Sequence, residues 1–238
     1  MQALLPLKEF AAAKQRLAGL LSAAERAHLF QAMVEDVLFV LTAHSAIERV
    51  VICSRDRSAV WLAGYYEVDF FDEATFGVND LNGAVNAAAR RLAREGCDDL
   101  LVVHGDLPLL RGNDVSVFLA HHRAAAGAAV TIAPDRRQQG TNLLAWRPLP
   151  VFTASYGVDS LQRHCAQAQA LNIEPTLCNL AGARCDIDEP EDLLMLLSQS
   201  GGAAKTLKFL RNSGIAERLL TLQYSANAAY IGDDDDCA

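Results

Sequence analysis

The chain has 238 residues and a formal net charge of −8, with 51% hydrophobic and 21% charged residues. That balance suits one α/β globular domain or two small ones, and it excludes a disordered or fibrous chain. The acidic excess argues against a nucleic-acid surface, but a small nucleotide needs only a local basic patch and a metal ion.

No apolar run approaches the roughly 20 residues that span a bilayer. The short apolar start has no basic stretch before it, so a soluble cytoplasmic protein without a signal peptide is expected. Cys53, Cys97, Cys165, Cys178, Cys185 and Cys237 form neither a Cys-x-x-Cys pair nor a zinc spacing. Free thiols in a reducing compartment explain them.

In chain order, residues 3–7 read as a buried strand. Ser22-Ala23-Ala24-Glu25 has capping-box spacing and predicts a long helix to about residue 41. Residues 50–53 and 66–71 are short strands, the second followed by the turn-rich Gly77-Val78-Asn79-Asp80. Residues 81–95 form an alanine-rich amphipathic helix, and residues 100–104 an apolar strand ending in Gly105-Asp106. Asn113 is a candidate cap for a helix to about residue 124, and residues 128–133 are another strand.

Beyond residue 134 the rhythm loosens. A polar loop over 135–140 precedes a strand at 141–146 and a helix at 159–170. Short strands are expected at 174–179 and 184–186, and Asp188-Glu189-Pro190-Glu191 opens a helix to about residue 198. Gly201-Gly202 breaks it, and two short helical stretches follow.

Strands separated by helices imply βαβ units, and hence an α/β fold with a mainly parallel Rossmann-like sheet flanked by helices. The expected division is a domain over residues 1–200, a helical extension over 201–232 and a disordered acidic tail over 233–238. Ligands in such sheets bind beyond the carboxyl ends of strands. That rule selects Lys8, residues 80–82, Gly105-Asp106 and residues 186–188.

Four stretches can carry chemistry there. Lys8, Lys14 and Arg16 follow the first strand, where cations can neutralise a triphosphate and the charge on a leaving pyrophosphate. A solvated amphipathic helix would give the same pattern. The Gly-rich loop of a P-loop or Rossmann site is absent. In His104-Gly105-Asp106-Leu107-Pro108, a carboxylate stands at a strand end, where nucleotidyl transfer needs one for Mg²⁺, although a turn cap is the plainer role.

Asp186 and Asp188 share a face if their segment is extended, and both can then reach one metal; Asp188 is equally well placed to cap a helix. Gly140-Thr141-Asn142, Tyr156-Gly157-Val158-Asp159-Ser160 and Arg163-His164 supply hydroxyls, amides and a cation that suit a phosphorylated anion, or two ordinary loops. His121-His122 reads as a pair of surface histidines.

These motifs, in this order, resemble those of the 2-phospho-L-lactate guanylyltransferase family of deazaflavin-coenzyme biosynthesis: Leu5-Pro6-Leu7-Lys8, Ala13-Lys14-Gln15-Arg16-Leu17, His104-Gly105-Asp106-Leu107-Pro108, Gly140-Thr141-Asn142-Leu143-Leu144, Tyr156-Gly157-Val158-Asp159-Ser160 and Asp186-Ile187-Asp188-Glu189-Pro190-Glu191-Asp192-Leu193. The resemblance covers residues 3–200. It implies a nucleotidyltransferase fold, similar to that of molybdopterin guanylyltransferases and sugar-nucleotide transferases.

It further implies that GTP reacts with a three-carbon phosphorylated acid and releases pyrophosphate. The acid would be 3-phospho-D-glycerate or 2-phospho-L-lactate ahead of phosphoenolpyruvate. By carry-over, Lys8, Lys14 and Arg16 contact the triphosphate, Asp106 and Asp188 hold Mg²⁺ with Asp186 as a helper, Asn82 contacts guanine, and Thr141, Gly157 and Ser160 contact the phospho acid.

The downstream transferase that uses the unstable product is a candidate partner, and monomer and homodimer both stay open. Arg136-Arg137-Gln138-Gln139 departs from the glycine-rich stretch of many relatives. Two alternatives stand beside this reading: a cytidylyl- or sugar-nucleotide transferase, and a GTP-binding regulator without catalysis.

Overall fold

The opening run is apolar because both of its faces are covered. In β1 (Gln2–Pro6), Leu4 packs into one hydrophobic cluster while Ala3 and Leu5 pack into another. Successive strand residues point to opposite faces, so a strand between two helical layers must be apolar throughout. β4 (Leu100–Val103) repeats this: Leu101 and Val103 share the side of Leu5, and Leu100 and Val102 that of Leu4. The structure is a computed structural model that describes residues 1–149, 151–199 and 201–222.

The remaining strands are β2 (Arg49–Ser54), β3 (Asp69–Asp72), β5 (Ala129–Pro134), β6 (Thr141–Arg147) and β7 (Thr176–Leu177). Among the described residues they form one sheet in the order β3-β2-β1-β4-β6-β5-β7. The pairs β1–β2, β1–β4, β2–β3 and β5–β7 are parallel, as expected of a mainly parallel sheet. β6 is the exception: it runs antiparallel to both β4 and β5, because the short loop at 135–140 reverses the chain.

α1 (Ala23–Ala43) opens with the expected capping box, Ser22 and Glu25 satisfying each other's backbone N–H groups. α3 (Leu81–Arg94) is capped by Asp80, and α5 (Ser160–Ala170) and α6 (Pro190–Ser198) fall close to their expected places. α2 (Arg57–Tyr65) is an element the sequence reading omits; Asp56 caps it. Its insertion delays β3, so residues 66–68 are not strand.

Three expectations are corrected. Residues 184–186 form no strand but part of an irregular loop. Asn113 lies inside α4 (Gly112–Ala124); Asp114 closes that helix end by accepting from the Arg111 N–H at 3.0 Å. His122 is fully buried, bonding Thr131 Oγ1 at 2.8 Å and Asp99 Oδ1 at 2.9 Å, whereas His121 is exposed.

Past Gly202, α7 (Ala204–Asn212) lies against α1. Asp36 of α1 accepts from the N–H groups of Lys205 and Thr206, each at 2.9 Å, and from the Thr206 hydroxyl. A further helix over 215–222 buries Ile215, Ala216 and Leu219 in the same cluster. The expected tail at 233–238 and Cys237 lie outside the described residues. Among the described residues no helix is long and apolar enough to cross a membrane.

Candidate active site

The carboxyl ends of β1 and β4 and the amino end of antiparallel β6 meet on one rim of the sheet. His104 N–H donates to the carbonyl of Asn142, joining the β4 exit to the β6 entry. A cavity of about 490 Å³ opens there, lined by Lys8, Lys14, Arg16, Asp106, Thr141, Gly157, Ser160, Asp186 and Asp188. Nine of the ten residues selected from sequence therefore face one pocket. Asn82 is the one the structure does not bring in. Its side chain pairs with the Tyr156 backbone, Nδ2 donating to the carbonyl at 3.0 Å and Oδ1 accepting from the N–H. Asn82 thus holds the backbone of Tyr156, a residue of the pocket wall.

Lys14 is the pivot. The segment around it is not a helix but two 3₁₀ turns, Phe10–Ala12 and Gln15–Leu17, anchored by buried Phe10, Ala13 and Leu17. Between them Lys14 takes φ +54°, a left-handed conformation that a residue with a side chain enters only at a cost. The turn sends the side chain inward, where it is only 4% exposed. Its Nζ sits 2.7 Å from Asp106 Oδ2 and 2.8 Å from Asp188 Oδ1. The solvated-helix alternative is thereby excluded for Lys14, whereas Arg16 stays 65% exposed at the rim, 3.5 Å from Glu189.

Burial alone would raise the pKa of Asp106, but the Lys14 ammonium, together with His104 and the hydrogen bonds the carboxylate accepts, outweighs it and holds the carboxyl below its ordinary value. Lys14 shows the mirror effect: burial favours the neutral amine, yet Asp106 and Asp188 together raise its pKa. Among the described residues Asp186 has no such cation. Burial first, and the neighbouring Asp106 charge second, push it up to about 6, although Asn142 donates to it at 3.3 Å.

Two backbone features bring the carboxylates together. Gly105 lets β4 exit close to α1: a Cβ there would lie 2.7 Å from Leu7 Cδ2 and 2.9 Å from Val34 Cγ2. The Ile187 N–H then donates to the Asp106 carbonyl at 3.2 Å, tying the 185–188 loop beside it. Asp188 is not the helix cap. Glu189 takes that position, and Asp192 Oδ2 accepts the N–H groups of Asp188 at 3.0 Å and Glu189 at 2.9 Å. The Asp188 carboxylate is left for Lys14.

Arg136 holds Asp192 at 2.9 Å, and Arg137 holds Glu189 at 3.1 Å. The two arginines therefore brace the 135–140 loop against the start of α6. Sequence reading missed this pairing; its only signal was two adjacent cations in one segment and an acid-rich helix start in another.

On the opposite wall, Gly157 has φ +118°, and a Cβ there would come within 2.9 Å of Arg163 Nη2. Its carbonyl accepts from the Ser160 N–H at 3.1 Å, which shapes the entry to α5. His164 is no cation. It is fully buried, and desolvation first, with the Arg163 charge second, lowers its pKa to about 4. Among the described residues Nε2 of His104 and the hydroxyl of Tyr156 are buried without hydrogen-bond partners, and both residues line the pocket.

The donor set suits a hard cation. Asp106 Oδ1 is buried with no hydrogen-bond partner among the described residues, and four carboxylates, Asp106, Asp135, Asp186 and Asp188, line the pocket. Among the described residues no three His, Cys, Asp or Glu side chains gather closely enough to enclose a metal unaided. Mg²⁺ does not ask for that: it usually takes one or two carboxylates, keeps several waters and completes its shell with substrate phosphates.

The chain has counterparts among known proteins. The profile of the family described as guanylyl transferase CofC like matches residues 1–221. The phosphoenolpyruvate guanylyltransferase of Conexibacter woesei is 37% identical over 209 residues, covering 86% of this chain and 92% of the relative. The 2-phospho-L-lactate guanylyltransferase of Methanothermobacter thermautotrophicus is 32% identical over 211 residues, covering 88% and 90%. Among solved structures, a protein described as a nucleotide-diphospho-sugar transferase from Desulfovibrio desulfuricans G20 superposes with a TM-score of 0.74 at 18% identity, covering 93% of this chain and 98% of the other. That likeness shows the nucleotide-diphospho-sugar transferase type of fold, and the profile and the two relatives show that the chain belongs to the CofC-like guanylyl transferase family.

Proposed function

We propose that the protein transfers the guanylyl group of GTP to a three-carbon phosphorylated acid and releases pyrophosphate. The observation that carries this reading is the cluster of Lys14, Asp106 and Asp188 at the sheet rim, with Thr141, Gly157 and Ser160 across the same pocket. One wall offers carboxylates and cations for a metal-bound triphosphate, and the other offers hydroxyls and amides for a small anion.

A phosphate monoester is already anionic near neutral pH, so attack on the α-phosphorus needs no general base. Alignment and charge stabilisation then supply the rate. Lys8, Lys14 and Arg16 stabilise the departing pyrophosphate. Thr141, Gly157 and Ser160 orient the acceptor. Asp106 and Asp188 would hold Mg²⁺, with Asp186 beside them, and the ion would polarise the α-phosphate as a Lewis acid.

The relatives' names supply phosphoenolpyruvate and 2-phospho-L-lactate as acceptors. The unpartnered His104 Nε2 and Tyr156 hydroxyl support adding 3-phospho-D-glycerate, whose free hydroxyl gives such buried groups a partner. The product would enter deazaflavin-coenzyme biosynthesis and pass to a downstream transferase in the cytoplasm.

The test incubates the protein with GTP, Mg²⁺ and each acid in turn, with pyrophosphate release and product mass as readouts. A guanylylated acid is expected from at least one of the three. Product from CTP alone would favour the cytidylyl alternative, and GTP binding without pyrophosphate release would favour a regulator.

A further inference from the structure

His164 makes two hydrogen bonds whose logic can be solved from the donors alone. The Ser155 N–H points at His164 Nε2 at 2.8 Å. A backbone N–H can only donate, so Nε2 must be the bare nitrogen. The single ring proton of a neutral imidazole therefore sits on Nδ1. Nδ1 lies 3.0 Å from Thr141 Oγ1 and must donate to it. A protonated ring, with N–H on both nitrogens, would set Nε2–H against Ser155 N–H.

Thr141 inherits a fixed polarity. Its oxygen already accepts from the imidazole, and among the described residues the hydroxyl makes no other hydrogen bond. Thr141 is 2% exposed and lines the pocket, so its own hydrogen is left to point at what the pocket holds. A phosphorylated carboxylic acid meets it with anionic oxygens, which accept only. In the other tautomer the threonine hydrogen would be spent on the ring, and a lone pair would face the anion.

We propose that His164 is a positioning residue that commits the Thr141 hydroxyl to donate a hydrogen bond to the anionic acceptor. The proposal rests on the acceptor site described above. His164 touches no substrate itself: it is absent from the pocket wall and packs against Phe152 and Tyr156, with ring centroids 5.9 and 5.1 Å away. The ring is locked by that packing, so the tautomer is set before any ligand arrives.

Two measurements test this on the full chain. Long-range ¹⁵N–¹H correlation of the histidine rings in the free protein should show His164 as the Nδ1–H tautomer; an Nε2–H signal would overturn the proposal whatever reaction the protein performs. Kinetics of a double-mutant cycle are the second. His164→Leu should raise the acceptor KM about tenfold, the scale of a hydrogen bond to a charged group, while the GTP KM stays within about twofold.

His164→Asn, which keeps a side-chain N–H near the Nδ1 position, should recover much of that loss. In a Thr141→Val background the His164→Leu penalty should vanish. An equal penalty with and without the threonine hydroxyl would reduce His164 to a packing residue. Absence of product from the unmodified protein with every acid would instead refute the proposed reaction, and the tautomer assignment would still decide the role of His164.

Discussion

Lys14 Nζ lies 2.7 Å from Asp106 Oδ2 across 92 residues of sequence, and it also meets Asp188 at 2.8 Å. One buried ammonium thus offsets two carboxylates that would otherwise repel each other. Among the described residues the second oxygen of Asp106 is left buried and unpaired. Removing the cation should expose both consequences. Lys14→Met should destabilise the fold by about 1–2 kcal/mol, since it leaves the half-buried Asp106 carboxylate without its cation while the more exposed Asp188 is screened by solvent. Mg²⁺ should then raise the melting temperature of the variant more than that of the unmodified protein, because the ion replaces the missing charge. Thermal melts with Mg²⁺ and with chelator check this, and equal shifts in the two proteins would detach the carboxylates from metal binding.

Asp106→Asn keeps the shape of the site and removes its central charge. Turnover should fall by about a hundredfold or more, with the circular dichroism spectrum unchanged. Near-normal turnover would sink the assignment of Asp106 to the metal.

Gly105 is required by close packing and not by a turn. The Cβ of Gly105→Ala would press on Leu7 and Val34, two side chains buried in the core. Overpacking of this kind costs about 1–3 kcal/mol. Because the same strand exit aims Asp106, activity should fall together with the urea midpoint. A fully stable, fully active variant would show that the exit has room to relax.

The depressed pKa of His164 makes stability depend on pH. Folded His164 titrates near 4, against an ordinary value of 6.5. Between those values the unfolded chain binds more protons than the folded one, so acid favours unfolding. The contribution is complete above about pH 6.5 and fades as pH falls toward 4, amounting to about 3 kcal/mol at 1.36 kcal/mol per pKa unit. Urea titrations from pH 7 to 4 should show this loss, and His164→Gln should show a flatter profile. Identical profiles would mean that the ring protonates freely in the folded state.

Asp36 holds the start of α7 with three accepted hydrogen bonds. Asp36→Ala leaves buried donors without partners and should cost about 2 kcal/mol. Hydrogen exchange should rise in α7 and in the helix at 215–222 before it rises in the sheet. Uniform exchange across the chain would show that these helices open only with global unfolding.

How far the sequence could be read depended on distance along the chain. The capping box of α1 spans four residues, Ser22 to Glu25, and stands in the structure as written. The apolar runs of β1 and β4 were legible because burial on two faces leaves no polar position. Asp188 failed the local rule: its spacing suited a helix cap, but Glu189 and Asp192 do that work. Its real partner, Lys14, lies 174 residues away. The reversal that makes β6 antiparallel was equally hidden, because hydrophobic pattern records burial and not strand direction.

By itself the sequence determined the α/β class, most of the strands and helices, and which strand ends carry charge. These follow from short-range periodicity and capping, which each segment encodes alone. Only the tertiary structure decided that Lys14 is buried between two carboxylates, that Asn82 serves the backbone of Tyr156, and that His164 is neutral and turned toward Thr141. Each of those depends on which distant group supplies the charge or the hydrogen-bond partner, and the folded chain alone brings the two together.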